Sequence, residues 1–262
     1  MNIKRYLRVW LLTTSSASQI AFVSRFGAFL FIVAKVLRFA FFLVFLLILQ
    51  SKTKSIGGYS LWQIIFFFAT FNLVDNLAQF FLREVYRFRS YVISGNFDYY
   101  LTKPISPLFR SLFGGSDILD IPMLILSVVF IAFSAFKIGD ISIIGVISYT
   151  VLILNGFLIA LAFHIITLAV GVLTTEVDNT IMLYRDLTQM GRIPTDIYRK
   201  PLNWILTFVI PVAVMITIPA KAMMGLLTWP WIIMSFLIGF AFLALSLKFW
   251  QYALKNYTSI ST

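Results

Sequence analysis

Along most of this chain, unbroken apolar runs of about 20 residues are separated by short clusters of polar residues, glycine and proline. At about 1.5 Å of rise per residue, such a run reaches across a hydrocarbon layer of about 30 Å. The runs are continuous rather than alternating, which argues for helices and against a β-barrel. The first covers Phe29 to Gln50 and the second Leu61 to Leu82. The third starts near Ser116-Asp117 and ends near Phe136, the fourth occupies roughly Ile143 to Leu173, and the last runs from Trp229 to Trp250. The fourth is long enough to tilt or to contain a bend. The first two are joined by KTKSIGGYS, where Gly57-Gly58 supply a turn. Ahead of them, residues 3–22 place Ile3, Tyr6, Leu7, Trp10 and Leu11 on one helical face and Lys4, Arg5, Arg8 and Ser15 off it. That is the pattern of a basic amphipathic helix at a membrane interface, with an ordinary packed helix as the alternative.

The polar positions inside the runs are few. Lys35 and Arg38 stand three residues apart in the first; Asn72, Asp75 and Gln79 share one face of the second. Asp117 and Asp120 fall in the first turn of the third, where negative charge suits the helix dipole better than it suggests a catalytic pair. His164, the only histidine, reads as a hydrogen-bonded packing residue before a proton relay. The stretch 174–220 is ambiguous. Hydropathy places the fifth crossing at 202–220, although Pro211 and Pro219 interrupt it, and leaves the polar 174–201 inside.

Composition settles the class. The 262 residues are 60% hydrophobic and only 12% charged, too few polar side chains to cover a soluble surface, so lipid must cover much of it. The chain is an all-α polytopic membrane protein in a single domain, 1–262, with six crossings. A net charge of +11 suits cytoplasmic loops better than nucleic acid. With the N-terminus inside, Lys4, Arg5, Arg8 and Arg25 are cytoplasmic, as are Arg83, Arg87, Arg89, Lys103 and Arg110 in the polar segment 83–116, and Lys255 in the tail. The first two outer loops hold only Lys52, Lys54 and Lys137. Both termini are therefore expected in the cytoplasm. The apolar stretch near the N-terminus is too short for a cleaved signal.

Enzyme chemistry finds little footing. There is no cysteine, so no thiol catalysis or thiolate metal site. No phosphate-cradling G-x-x-x-x-G-K-[ST] loop, no H-E-x-x-H and no G-x-S-x-G elbow occurs. No catalytic residue and no metal site is assigned. A membrane-embedded hydrolase or acyltransferase stands as the enzyme alternative, and an ATP-independent transporter or channel as the other.

Several stretches, taken together, resemble the permease subunits of bacterial ABC exporters of the ABC-2 type. They are the amphipathic N-terminus, SRFGAF before the first span, SIGGYS after it, VISGNFDYYLTKPISPLF between spans two and three, and IPTDIYRKPLNWILTFVIPVAVMITIPAKAMMG late in the chain. The resemblance implies that 83–116 holds a cytoplasmic coupling helix docking into a separate ABC ATPase, with Gly95, Phe97, Asp98, Tyr99, Tyr100, Leu101, Lys103 and Pro104 as docking residues. It implies two ATPase copies, which hold the ATP and magnesium, so that the permease needs no cofactor itself. It also implies a second permease, identical or related, surrounding membrane lipid, the bacterial inner membrane, and outward movement of a lipid-like or amphipathic substrate. Asn72, Asp75, Gln79, Asp178, Arg185 and Asp186 are the candidates for its translocation path or subunit interface. Finally, it moves the fifth crossing to 177–193 and makes 198–220 an outer re-entrant hairpin, against the placement from hydropathy.

Overall fold

The computed structural model describes residues 3–53 and 55–258; Lys54, one of the bases placed above in an outer loop, lies outside the described residues. The amphipathic helix α1 (Ile3–Ala21) leads into α2 (Arg25–Lys52) and α3 (Leu61–Leu82), which continues through a 3-10 turn into α4 (Phe88–Ile93). Two short helices, α5 (Asn96–Thr102) and α6 (Pro107–Leu112), return through a 3-10 turn at Ile118–Asp120 to α7 (Ile121–Ile138) and α8 (Ile143–Thr174). The chain then forms α9 (Val177–Gln189), α10 (Leu202–Val209), α11 (Ala213–Met223) and α12 (Trp229–Lys255). The first, second, fourth and last apolar runs thus become α2, α3, α8 and α12, and the third is the 3-10 turn with α7.

Local chemistry sets the helix starts. Ser24 accepts from the Gly27 amide at 3.1 Å to open α2, and Ser142 accepts from the Gly145 amide at 3.0 Å to open α8. Ser60 and Gln63 cap each other's backbone at the start of α3. The split between α10 and α11 follows from Pro211. A proline cannot donate to the preceding turn, and it pushes the residue before it out of the helical region. Ile210 accordingly sits at φ −123°, ψ 82°, and the two helices meet at a 76° bend.

Five segments are long and apolar enough to cross a membrane: α2, α3 with α4, the 3-10 turn with α7, α8, and α12; the bent α10–α11 pair would make a sixth only if read as one span. α3 and α8 form the core. Phe66 of α3 packs on Tyr149 of α8 (ring centroids 5.5 Å apart), and Thr70 shares a 3.1 Å hydrogen bond with the Tyr149 hydroxyl. Phe68 meets Phe39 and Phe42 of α2 at 4.8 and 4.7 Å. α8 also lies along α12, where Asn155 donates to the Ser235 carbonyl at 2.9 Å. The outward faces of α2, α7, α8 and α12 leave Phe41, Ile125, Leu154 and Phe240 exposed, a surface for lipid or another subunit.

The two ends of the bundle differ. One is a tight end, where the Ile56–Tyr59 turn and the start of α8 lie. The other carries residues 83–116, with α1 laid across it: Tyr6 accepts from the Ser106 amide at 3.2 Å and Trp10 donates to Ser116 at 3.0 Å. On α1, Tyr6 and Trp10 face protein while Ile3, Leu7 and Leu11 stay exposed, so the apolar stripe is shared between the bundle and its surroundings. Both ends of the α10–α11 pair lie at the tight end. Asn203 donates to the Thr195 carbonyl at 3.1 Å, and Lys221 pairs with Asp196 at 2.9 Å. Between those ends the pair dips along α8, where Gly156 lets the Met215 carbonyl come so near that an added Cβ would stand 2.7 Å from it. Gly156→Ala therefore forces backbone apart and should cost about 1–3 kcal/mol. Thermal unfolding of the detergent-solubilised protein checks this; an unchanged midpoint would mean that α11 is not seated on α8.

Candidate functional site

The segment 83–116 is built as a braced arm. Gly95 turns it with φ 72°, a left-handed conformation that favours glycine, and hands the chain from α4 to α5. Ser106 caps α6, and Pro107 occupies the first turn of that helix, where its missing amide hydrogen costs nothing. α5 has only 7 residues, so it has one inward and one outward side. Phe97 is fully buried, its ring against Phe88 (5.1 Å), Tyr257 (5.2 Å) and Trp250 (6.4 Å). Asp98 is half-buried and accepts from the Tyr257 hydroxyl at 2.9 Å. Tyr100 lies against Tyr91 (5.5 Å) with the Arg110 guanidinium 5.1 Å from its ring centre. Burial pushes the Tyr100 hydroxyl above the usual tyrosine range, and the nearby Arg110 charge opposes the shift.

The residues expected to dock a partner therefore divide. Tyr99, Leu101, Lys103 and Pro104 are exposed. Gly95 and Phe97 are buried, and Asp98 and Tyr100 are partly so. Phe97, expected as an outward anchor beside Tyr99, instead fastens α5 to the bundle and to the chain after α12. Helical spacing gives the reason: positions 97 and 100, three apart, share the inner side, and 99 points away.

The hub of the arm is a residue that the motif reading missed. Glu84 is 2% exposed, accepts from the Tyr91 hydroxyl at 2.9 Å, and lies 3.4 Å from both Arg87 and Arg110. Arg110 also donates to the Gly114 carbonyl at 2.9 Å. One carboxylate thus ties the end of α3, α4 and α6 together and reaches Tyr100 through Arg110. A signal was present, because Glu84 is the only acid between Asp75 and Asp98, in a run holding Arg83, Arg87 and Arg89.

Above the arm lies a belt of buried and half-buried polar side chains. Lys35 of α2 pairs with Asp120, which is fully buried, and donates to Gln79 at 3.4 Å. Gln79 in turn donates to Asp75 at 2.8 Å and accepts from Arg83 at 3.4 Å. Arg83 pairs with Asp117 at 3.5 Å. The aspartates read from sequence as dipole partners are thus ion-pair partners as well. Asp117 does cap, accepting from the Leu119 amide at 3.1 Å, but Asp120 exists to meet Lys35. Lys35 reaches Asp75 only through Gln79. The Asp117 amide donates to the Phe80 carbonyl at 3.1 Å, folding the start of α7 under the end of α3, and that crossing brings Asp120 within reach.

The residues expected to form a path are not all together. Asp75 and Gln79 meet through their hydrogen bond, whereas Arg185 is half-buried on α9 and makes no ion pair with Asp75 among the described residues. Asn72 turns back to the Phe68 carbonyl of its own helix at 2.8 Å. Asp178 pairs with Arg89 at 3.0 Å beside the arm, and Asp186 is exposed. His164 is buried, its Nδ1 2.8 Å from the Ala160 carbonyl and its ring 4.9 Å from Tyr184, a packing role. At the tight end, Asp196 accepts from the Tyr59 hydroxyl at 2.8 Å and pairs with Lys221. Burial first, and then the hydrogen bond and charge of Asp196, hold the Tyr59 hydroxyl above the ordinary tyrosine range. Among the described residues, no three histidine, aspartate or glutamate side chains come together as metal ligands.

The hub makes a prediction. Glu84→Ala removes the carboxylate partner of Arg110 and leaves the Tyr91 hydroxyl without its acceptor, and should cost about 1.5–3 kcal/mol, the range for hydrogen bonds to charged groups. Loosening the arm by that much should speed chymotrypsin cleavage after Tyr99 by about tenfold or more. Cleavage at the wild-type rate would show that Glu84 does not brace α5.

No curated protein and no solved structure matches the chain. A family model described as ABC-2 family transporter protein matches residues 36–261, from the middle of α2 past the end of α12, taking in the arm, most of the belt and the bent pair. With that match covering most of its length, the chain belongs to the ABC-2 family of transporter proteins.

Proposed function

We propose that this protein is the permease subunit of an ABC exporter, with two copies of a separate ABC ATPase docked on the arm and a second permease, identical or related, beside it. ATP and its magnesium would sit on the ATPase pair. Closure of that pair would push on the exposed side of α5, formed by Tyr99, Leu101, Lys103 and Pro104. The observation that carries this reading is the bracing of the arm. Phe97, Glu84 and Arg110 join α5 to α3, α4, α6 and the chain after α12, so a displacement of the exposed side moves helices instead of flexing a loop. Movement of the bundle would then open a path outward for a lipid-like or amphipathic substrate.

In this reading both termini and the arm are cytoplasmic in a bacterial inner membrane, and α9 is the fifth of six crossings. Two pairings support that placement. Asp178 is tied to Arg89 beside the arm, and Asp196 to Tyr59 at the opposite end. The intervening chain runs from one end of the bundle to the other. The α10–α11 pair, which starts and finishes at the Asp196 end, is then an outer re-entrant hairpin. α9 escapes hydropathy because it is short and carries Asp178, Arg185 and Asp186. Such a helix is tolerated where protein or water, not acyl chains, meets its polar side.

Two experiments test the proposal. Joint Tyr99→Ala and Leu101→Ala substitution should reduce the ABC ATPase retained on affinity-purified permease by about tenfold or more, as loss of an interface anchor does. Full retention together with full transport would reject the docking surface. The chain has no cysteine of its own, so Arg199→Cys and Thr102→Cys report sidedness cleanly. In intact cells a membrane-impermeant maleimide should label the first and not the second. Labelling of the first only after lysis would return 202–220 to the role of fifth span.

A further inference from the structure

Two of the cations carried into the bundle have a carboxylate of their own. Lys35 has Asp120, and Arg83 has Asp117. Arg38 of α2, and Arg185 and Arg192 at and just beyond α9, do not. None of these three guanidiniums makes an ion pair or a side-chain hydrogen bond among the described residues. Arg192 reaches Phe42, one turn beyond Arg38 on α2, and Arg185 stands two turns before Arg192 along α9 and the turn that follows it. Arg192 lies over the rings of Phe42 and Phe71, at 5.2 and 5.5 Å, with its Nε buried and without a partner. Phe71 stands midway along α3, and Arg185 lies between Arg192 and the Asp178 end of α9 beside the arm, so these guanidiniums occupy graded depths from the arm side to the middle of the bundle. Arg38 is exposed, and Arg185 and Arg192 are partly so; their side is open.

Arg38 lies midway along a 28-residue helix, about 20 Å from either end at 1.5 Å per residue, too far for its side chain to reach water at either surface. An arginine facing acyl chains costs about 2.5–3.5 kcal/mol on insertion scales, so the site needs an anion at membrane depth. A second copy of this chain placed symmetrically across the surface would add its own guanidiniums and deepen that need. A guanidinium fork matches the oxygens of a phosphate group in pairs. We infer that Arg38, Arg185 and Arg192 form a binding track for the phosphate headgroup of an acidic amphiphile, whose tails stay in the lipid while the headgroup moves along the protein. This deepens the export reading and rests on it: the substrate would be an anionic, phosphate-bearing lipid.

The test uses the purified full-length protein in detergent, mixed with equal amounts of phosphatidylglycerol and phosphatidylcholine, with retained lipid counted by native mass spectrometry. Wild type should retain phosphatidylglycerol about tenfold in excess, and joint Arg38→Gln and Arg185→Gln substitution should abolish the preference, since each charged hydrogen bond lost is worth roughly a factor of ten or more. Arg89→Gln, beside the arm, should leave the preference intact. Arg38→Lys, which keeps the charge and disturbs packing little, should retain part of it, so a loss caused by misfolding alone is recognised. Equal retention of both lipids by wild type, or an unchanged preference in the double glutamine variant, would overturn the site. Displacement of phosphatidylglycerol by an equal concentration of inorganic phosphate would overturn the amphiphile in favour of a free anion. Co-purification of the ABC ATPase, measured on the same samples, keeps the two readings apart: its failure would reject the permease assignment, whereas its success with no lipid preference would reject only the track.

Discussion

The ion pair between Lys35 and Asp120 joins α2 to the start of α7 inside an apolar bundle, and much of the arm end is arranged around it. An ammonium group there is costly without a partner, and so is a buried carboxylate. Removing one member of such a pair commonly costs about 3–5 kcal/mol, because the other is left charged and stranded. Gln79 extends the pair to Asp75 on one side and to Arg83 on the other, and Arg83 reaches Asp117. The belt thereby fixes the register of α2, α3 and α7 at one end, where their apolar faces by themselves would allow sliding.

The same need for partners explains the stiffness of the arm. Glu84 is buried just past the end of α3, and it is tolerated because Tyr91, Arg87 and Arg110 surround it. Their side chains come from three short elements, α4, α6 and the 3-10 turn after α3. None of those elements is long enough to be a stable helix alone. The carboxylate and the Phe97 ring cluster hold them as one body, which leaves Tyr99 and Leu101 displayed on a rigid support. On α5 itself, the buried Phe97 and half-buried Tyr100 face the bundle while Tyr99 and Leu101 stay exposed.

At the tight end the constraint is different. Pro211 breaks one apolar stretch into two helices, and Asp196 gathers Tyr59 and Lys221 so that both ends of the broken pair stay together. Gly156 then admits the Met215 backbone against α8. A region that reads as a simple span by hydropathy becomes a folded-back element because of one missing backbone donor and one shared carboxylate.

The sequence by itself determined the long apolar helices, the membrane class and the family resemblance. Those features are local or additive. Caps such as Ser60 with Gln63 act within one turn, apolar runs of fixed length follow from membrane thickness, and the arm's punctuation from Gly95 to Pro107 can be read residue by residue. The pairings were not legible in the same way. Lys35 and Asp120 are 85 residues apart and Asp196 is 137 from Tyr59, so nothing in local pattern says which acid meets which base. Phe97 looked like an outward anchor because composition does not say which side of a short helix is covered; Tyr257, from the far end of the chain, covers it. Only the tertiary structure decided those partners, because the free energy of a charge or a ring in an apolar bundle depends on what lies across from it in space, and sequence order does not record that.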